Sequence, residues 1–358
     1  MTKQRLILLF DGTWNDPEDQ TNVFRIAGLT REYDGDLRQR FFYDPGVGTG
    51  RFDRFRGGVF GSGLSKNLLQ GYEWLAKRYS SEDEIWIFGF SRGAYTARSL
   101  VGLIQKCGLL RIVTPSLLDK AERIYRDKGL RPDCDECKAF RNNYSLTPRV
   151  HFIGVWDTVG ALGIPGTNLS EHGKYSWHDT ELSSIVNFAY HAVALDEHRA
   201  AYDVPLWTGE NGQKKPENQE VEQRWFIGAH ANVGGGYGSG DLLADIPLQW
   251  MMEKASSAGL KLDGFVASED AWKTKPRDSF RDFLKGVYAW FRKLRASGDG
   301  RHFRKFDKGN KGKPAVNVTV DASVWMRWKD PEFNYRPRTL IDADQRPPEQ
   351  YIAASIDP

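Results

Sequence analysis

The stretch EIWIFGFSRGAYTARSL, residues 84–100, constrains the fold more than any other. Its apolar run Ile85–Phe88 suits a strand buried on both faces, and a helical pattern begins without a linker at Ser91-Arg92. A serine between Gly89 and Gly93, on a sharp turn from buried strand to helix, fits G-x-S-x-G, the nucleophile elbow. The turn carries the hydroxyl out at the sheet edge, and glycine is needed where backbone crowds it. A helix starting just after Ser91 adds backbone N–H groups and a positive dipole end, which suit an oxyanion.

Other apolar runs repeat the theme. RLILLF ends at Asp11-Gly12-Thr13, RVHFIGVW at Asp157, QRWFIGA at His230, and a weaker run, RFFYDPGVGTG, breaks into glycines. Helical patterns lie between them in SKNLLQGYEWLAKRY, AYTARSLVGLIQKC and ELSSIVNFAYHAVAL. This alternation predicts an α/β fold with a mainly parallel sheet and helices on both faces. With 358 residues, the chain is read as one domain carrying a basic helical insertion or cap at about 262–313.

An elbow serine needs a base and an orienting acid, and chain order in such folds is Ser, acid, His. His230 follows the last strong strand and precedes glycines 234–236, which let its loop fold back. Asp157 follows the preceding strong strand, and the C-terminal strand ends of a parallel sheet share one edge. His151 falls at a strand start, on the wrong edge. His172 and His178 fall in a polar loop, His191 and His198 in and beside a helix, and His302 in the basic segment. Asp196, Asp203 and Asp241 are the reserve acids. Backbone N–H groups of Arg92 and of Gly12 or Thr13 are the oxyanion candidates.

Several chemistries are set aside. The D-G-T string has Leu9 where a phosphatase nucleophile would stand, and the glycine-rich stretches fit neither phosphate-loop pattern. Cys134-x-x-Cys137 lacks a second ligand pair for zinc and sits in a polar stretch, not at a strand-to-helix turn, so a redox reading also fails. No metal or cofactor is called for. A net charge of +3 does not make the whole chain a polyanion binder. Residues 272–313, however, hold fourteen Lys and Arg against four Asp. There Phe280, Phe283, Trp290, Phe291, Arg292 and Lys293 are candidates for peripheral lipid contact, against the plainer reading of a helix packed on the core. No nucleic-acid fold accompanies the charge. The first apolar run is too short for a signal peptide's core, and no window reaches a membrane span, so the chain is expected to be cytoplasmic as made, with signal-independent secretion open to it.

Together, FDGTWN, YDPGVGTG, FGFSRGAYTAR, GVWDTVGALG, ALDEHR and GAHANVGGGY resemble the catalytic domain of type VI secretion phospholipase effectors, from about Arg5 to Trp250. The resemblance implies an α/β-hydrolase fold, a triad of Ser91, Asp157 and His230, and cleavage of lipid acyl esters. The expected activity is therefore a serine esterase or lipase acting on a small-molecule ester or lipid. The alternatives are a thioesterase or peptidase with the same triad, and a non-catalytic binding module on the same scaffold.

Overall fold

A computed structural model describes residues 3–12, 19–46, 60–160, 181–209, 219–238, 240–282, 300–309 and 312–352. Its strands are β1 (Gln4–Phe10), β2 (Tyr33–Asp34), β3 (Leu37–Asp44), β4 (Glu84–Phe90), β5 (Leu109–Leu110), β6 (Ser145–Leu146), β7 (Val150–Trp156), β8 (Val186–Ala194), β9 (Glu220–Phe226) and β10 (Val318–Val320); β1, β3, β4, β7 and β9 are those expected from the sequence. Eight of them make one sheet in the order β10-β9-β8-β7-β4-β1-β3-β2, parallel throughout except where β2 meets β3. Strand β4, which leads into Ser91, lies at the centre between β1 and β7.

Side-chain alternation explains why these runs are apolar on both sides. Leu6, Leu8, Phe10, Ile85 and Ile87 face a core built with α2 (Phe60–Ala76), α3 (Arg92–Cys107), α4 (Pro115–Arg126) and α5 (Asp135–Tyr144). Ile7, Leu9, Trp86, Phe88 and Phe152 face the opposite core, with α1 (Asn22–Leu29) and α7 (Asp245–Ser257). Helices thus cover both faces, as a parallel sheet requires. The arrangement is α/β-hydrolase-like. A third cluster around Trp225, Leu206 and Val324 packs the C-terminal segment onto the β9 edge.

Two expectations need correction. The pattern of ELSSIVNFAYHAVAL predicts a helix, but from Val186 to Ala194 this run is strand β8, hydrogen-bonded between β7 and β9. A continuous apolar run has no periodicity that separates a buried strand from a buried helix. His191 is therefore a strand residue, and His198 lies in the loop beyond that strand. The second correction concerns the lipid candidates. Phe280 is only 3% exposed and packs under the Arg301 guanidinium, so it offers no lipid-facing surface. Phe283, Trp290, Phe291, Arg292 and Lys293 lie outside the described residues, as do Thr13, His172 and His178. No helix among the described residues is long and apolar enough to cross a membrane.

Candidate active site

The elbow forms where β4 meets α3. Ser91 has φ 59° and ψ −121°, a conformation that L-residues rarely adopt, and its N–H donates to the Trp156 carbonyl at 3.1 Å. Its two glycines answer to specific crowding. A Cβ on Gly93 would lie 2.0 Å from the Phe10 carbonyl oxygen, and one on Gly89 would lie 2.6 Å from the Gly93 oxygen. The elbow is thus wedged against the end of β1 and against its own helix. We expect Gly93→Ala to cost about 3 kcal/mol, because the atoms it strikes are backbone. Gly28→Ala, on α1 with nothing within 4 Å of its Cβ position, should be neutral or stabilise by up to about 1 kcal/mol. Thermal unfolding of the two variants side by side checks both signs.

His230 opens α6 (His230–Gly234), a single turn after β9. The N–H groups at that helix start find partners: Ala229 donates to Asn232 Oδ1 at 3.1 Å and His230 to Glu197 Oε2 at 3.3 Å. The ring packs against Phe90, centroids 4.7 Å apart, and edge-on to Tyr202 at 5.0 Å. Its Nε2 lies 2.8 Å from Ser91 Oγ and its Nδ1 lies 2.6 Å from Asp157 Oδ2. Serine, histidine and aspartate form one hydrogen-bonded chain, with Asp157 fully buried and Ser91 and His230 less than 9% exposed.

Asp157 reaches His230 by a different route from the one the sequence suggested. Its strand β7 does not neighbour β9, because β8 lies between them. Instead Asp157 turns off β7 at φ 38°, its N–H donates to the Ala192 carbonyl at 2.8 Å, and its Oδ1 accepts the Ala194 N–H at 2.9 Å. The carboxylate thus passes over the end of β8 to the histidine. The next residue, Thr158, donates its N–H to His191 Nε2 at 3.2 Å. Burial and the nearby Arg98 push the His191 imidazole down to about 3, so it stays a neutral acceptor that pins this turn. The reserve acids are placed elsewhere. Asp196 accepts from the Gly228 N–H and the Tyr335 hydroxyl, Asp241 accepts from Asn232, and Asp203 accepts the Val204 N–H.

Two groups beside this hydrogen-bonded chain were not singled out from sequence. The first is Arg304, whose side chain is fully buried and forks onto Asp157, Nη1 donating to Oδ1 at 2.6 Å and Nη2 to Oδ2 at 3.0 Å. The second is Glu197, which accepts two hydrogen bonds from the Arg199 side chain at 2.8 and 2.7 Å and one from the Ser279 hydroxyl at 3.0 Å. Glu197 and Arg199 stand in the ALDEHR motif, which flagged the stretch without assigning roles. Arg304 gave no signal, being one of fourteen cations in a basic segment.

The electrostatics follow from burial set against pairing. Burial alone raises the Asp157 carboxyl, but the Arg304 charge and the His230 hydrogen bond outweigh it and hold the group well below the usual carboxylate range. Burial likewise raises Glu197, and the Arg199 contacts bring it down to about 2. For His230, burial dominates and lowers the imidazole, against the opposing pull of Asp157. The imidazole is therefore neutral near pH 7 and available as a base.

The oxyanion candidates fare unevenly. Arg92 is the first residue of α3, whose first backbone hydrogen bond runs from the Tyr95 N–H to the Ser91 carbonyl. The Gly12 N–H is already engaged by Asp11 Oδ1 at 2.6 Å, which removes it as a ready donor. Asp11 is in turn held by the Thr21 and Tyr43 hydroxyls at 2.5 and 2.7 Å, so the carboxylate closes its own loop. The three cysteines are free thiols, with Cys134 capping the start of α5 through its sulfur. Among the described residues no group of three or more His, Cys, Asp or Glu is placed to hold a metal ion.

Comparison with known proteins places this site in context. An uncharacterized protein of Saccharomyces cerevisiae is 29% identical over 227 residues, 56% of this chain and 32% of its own length, so the chain spans about a third of that relative. Among solved structures, an uncharacterized protein from Pseudomonas aeruginosa matches with TM-score 0.49 at 18% identity, covering 99% of this chain and 62% of that one. The Tle1 effector bound to the VgrG spike of the type 6 secretion system matches with TM-score 0.44 at 13% identity, covering 80% of this chain and 79% of that one. The model of the type VI secretion phospholipase effector Tle1-like catalytic domain matches residues 4–254, a stretch that holds the elbow, Asp157 and His230, and the chain belongs to that family.

Proposed function

We propose that this chain is a serine hydrolase that cleaves carboxylic ester bonds of lipids, phospholipids foremost, without a metal. The observation that carries the reading is the chain Ser91 Oγ, His230 Nε2, His230 Nδ1, Asp157 Oδ2, with links of 2.8 and 2.6 Å across residues far apart in sequence. Ser91 attacks the acyl carbonyl while His230 Nε2 takes the hydroxyl proton. Asp157 keeps the ring oriented and stabilises the imidazolium that forms. The backbone N–H of Arg92, at the start of α3, donates to the oxyanion. His230 returns the proton to the leaving alcohol, then activates a water that attacks the acyl-serine and releases the acid.

Lipid as the substrate class is supported by membership of a phospholipase family. The test is labelling by a fluorophosphonate probe, run beside a p-nitrophenyl ester panel and phosphatidylglycerol and phosphatidylcholine vesicles. Probe labelling, ester turnover and fatty-acid release from vesicles are expected together. Folded protein that neither labels nor turns over any ester would make it a binding module. Turnover of soluble esters with untouched vesicles would remove the lipid assignment and leave the esterase.

A further inference from the structure

We infer that Arg304 is a positioning residue of the triad: its guanidinium holds the Asp157 carboxylate in the orientation that presents Oδ2 to His230, and its charge sets the pH range over which His230 serves as base. The inference rests on the serine-hydrolase reading for its rate prediction, but not for its titration prediction.

The geometry is specific. Nη1 and Nη2 donate in parallel to the two oxygens of Asp157, the planar fork that only arginine offers a carboxylate. The same nitrogens also donate to the Ala194 carbonyl at 2.9 Å and to the Tyr202 carbonyl. These two carbonyls flank the histidine's surroundings: Ala194 ends β8, and Tyr202 packs edge-on to the His230 ring. Arg304 therefore ties the acid to both walls of its pocket. Its own strip of backbone is fixed on either side. The His302 N–H donates to the His198 carbonyl at 2.9 Å, and Trp225 Nε1–H donates to the Phe306 carbonyl at 3.2 Å. Past the end of β7 the Asp157 side chain is held by the Ala194 N–H on Oδ1 alone among strand groups, and a fork of two charge-assisted hydrogen bonds adds a restraint on both oxygens.

Charge is the second half. In a triad of serine, histidine and aspartate, the lone aspartate charge favours the imidazolium. Here Arg304 offsets that charge at the oxygen that bonds His230. Among the described residues, the ring is also faced by Glu197 and Arg199, which pair with each other, by the Tyr202 phenol and by the Ser91 hydroxyl. The imidazole is thus flanked by two carboxylate–guanidinium pairs, and in each pair the cation opposes its protonation. Removing Arg304 leaves the Asp157 charge unopposed, so His230 becomes more basic and needs a higher pH to be neutral. Arg304 also lies beyond residues 4–254, so the family's matched stretch does not contain the group that holds its acid.

The experiment compares full-length wild type, Arg304→Gln and Arg304→Lys on p-nitrophenyl butyrate, from pH 5 to 9 in steps of about half a unit. Arg304→Gln should lower kcat by about 100-fold with KM little changed. Its acidic limb in kcat/KM should move to higher pH. Arg304→Lys keeps the charge without the fork, so kcat should fall about tenfold while the acidic limb stays near its wild-type position. The His230 imidazole, titrated by NMR, should become more basic in Arg304→Gln. Folded Arg304→Gln with wild-type kcat, or with an unmoved limb and imidazole titration, overturns the inference. If Arg304→Gln does not fold, Arg304→Lys decides: the tenfold loss supports the inference, and wild-type kcat overturns it. If the wild type hydrolyses no ester, the serine-hydrolase reading falls, and the NMR titration alone decides the role of Arg304.

Discussion

Ser91→Ala is expected to lower kcat for ester hydrolysis by about a millionfold while the protein folds as before. Triad members act as a unit, so losing the nucleophile alone removes nearly all that the triad contributes. What remains comes from the oxyanion donors and binding. The fold should tolerate the change for a local reason. The positive φ at residue 91 strains alanine and serine alike, and the lost hydroxyl is bonded to His230 at 2.8 Å, not to a structural partner. Thermal unfolding should shift little, and fluorophosphonate labelling should vanish. A folded Ser91→Ala protein with activity within tenfold of wild type would mean that another residue is the nucleophile.

Asp157→Asn should lower kcat by about 10⁴-fold, and here the structure predicts a second penalty. An amide has one acceptor oxygen, whereas Asp157 now accepts from both His230 and the Arg304 fork. If the amide nitrogen faces His230, the ring takes the tautomer that cannot accept the Ser91 proton. If it faces Arg304, two donors oppose each other and a buried guanidinium loses its counter-charge. Breaking a buried pair from one side costs about 3–5 kcal/mol. Activity and stability should therefore fall together, unlike in Ser91→Ala. Rate measurements and denaturant titration on the two variants separate these patterns. An Asp157→Asn protein with wild-type stability would show that the Arg304 pairing contributes nothing to the fold.

The parts that were legible in sequence are those whose signal is local. Ile85–Phe88 running into Gly89-Phe90-Ser91-Arg92-Gly93 specifies a buried strand, a turn too crowded for a Cβ, and a helix. The runs ending at Asp157 and His230 were legible for the same reason, since short apolar segments capped by a polar residue mark the C-terminal edge of a parallel sheet. Strand β8 was not legible, because a segment apolar on both faces has the same composition in a buried strand as in a buried helix. The engagement of the Gly12 N–H was not legible either, because Asp11, one residue away, takes it, and side-chain competition of that kind leaves no mark in spacing.

The sequence by itself marked Ser91, His230 and Asp157 as strand-end residues and determined the α/β layering, because each is written in a stretch of about ten residues whose periodicity and turn chemistry act locally. Only the tertiary structure decided how they meet. It inserted β8 between the strands of Asp157 and His230, and it carried the acid over the end of that strand to reach the ring. It also drew Arg304, 147 residues beyond Asp157, out of a basic segment and buried it against the carboxylate. Nothing near Arg304 in the chain distinguishes it from the thirteen other cations around it. A buried charge acquires its meaning from the counter-charge it meets, and that meeting is set by packing between segments distant in the chain.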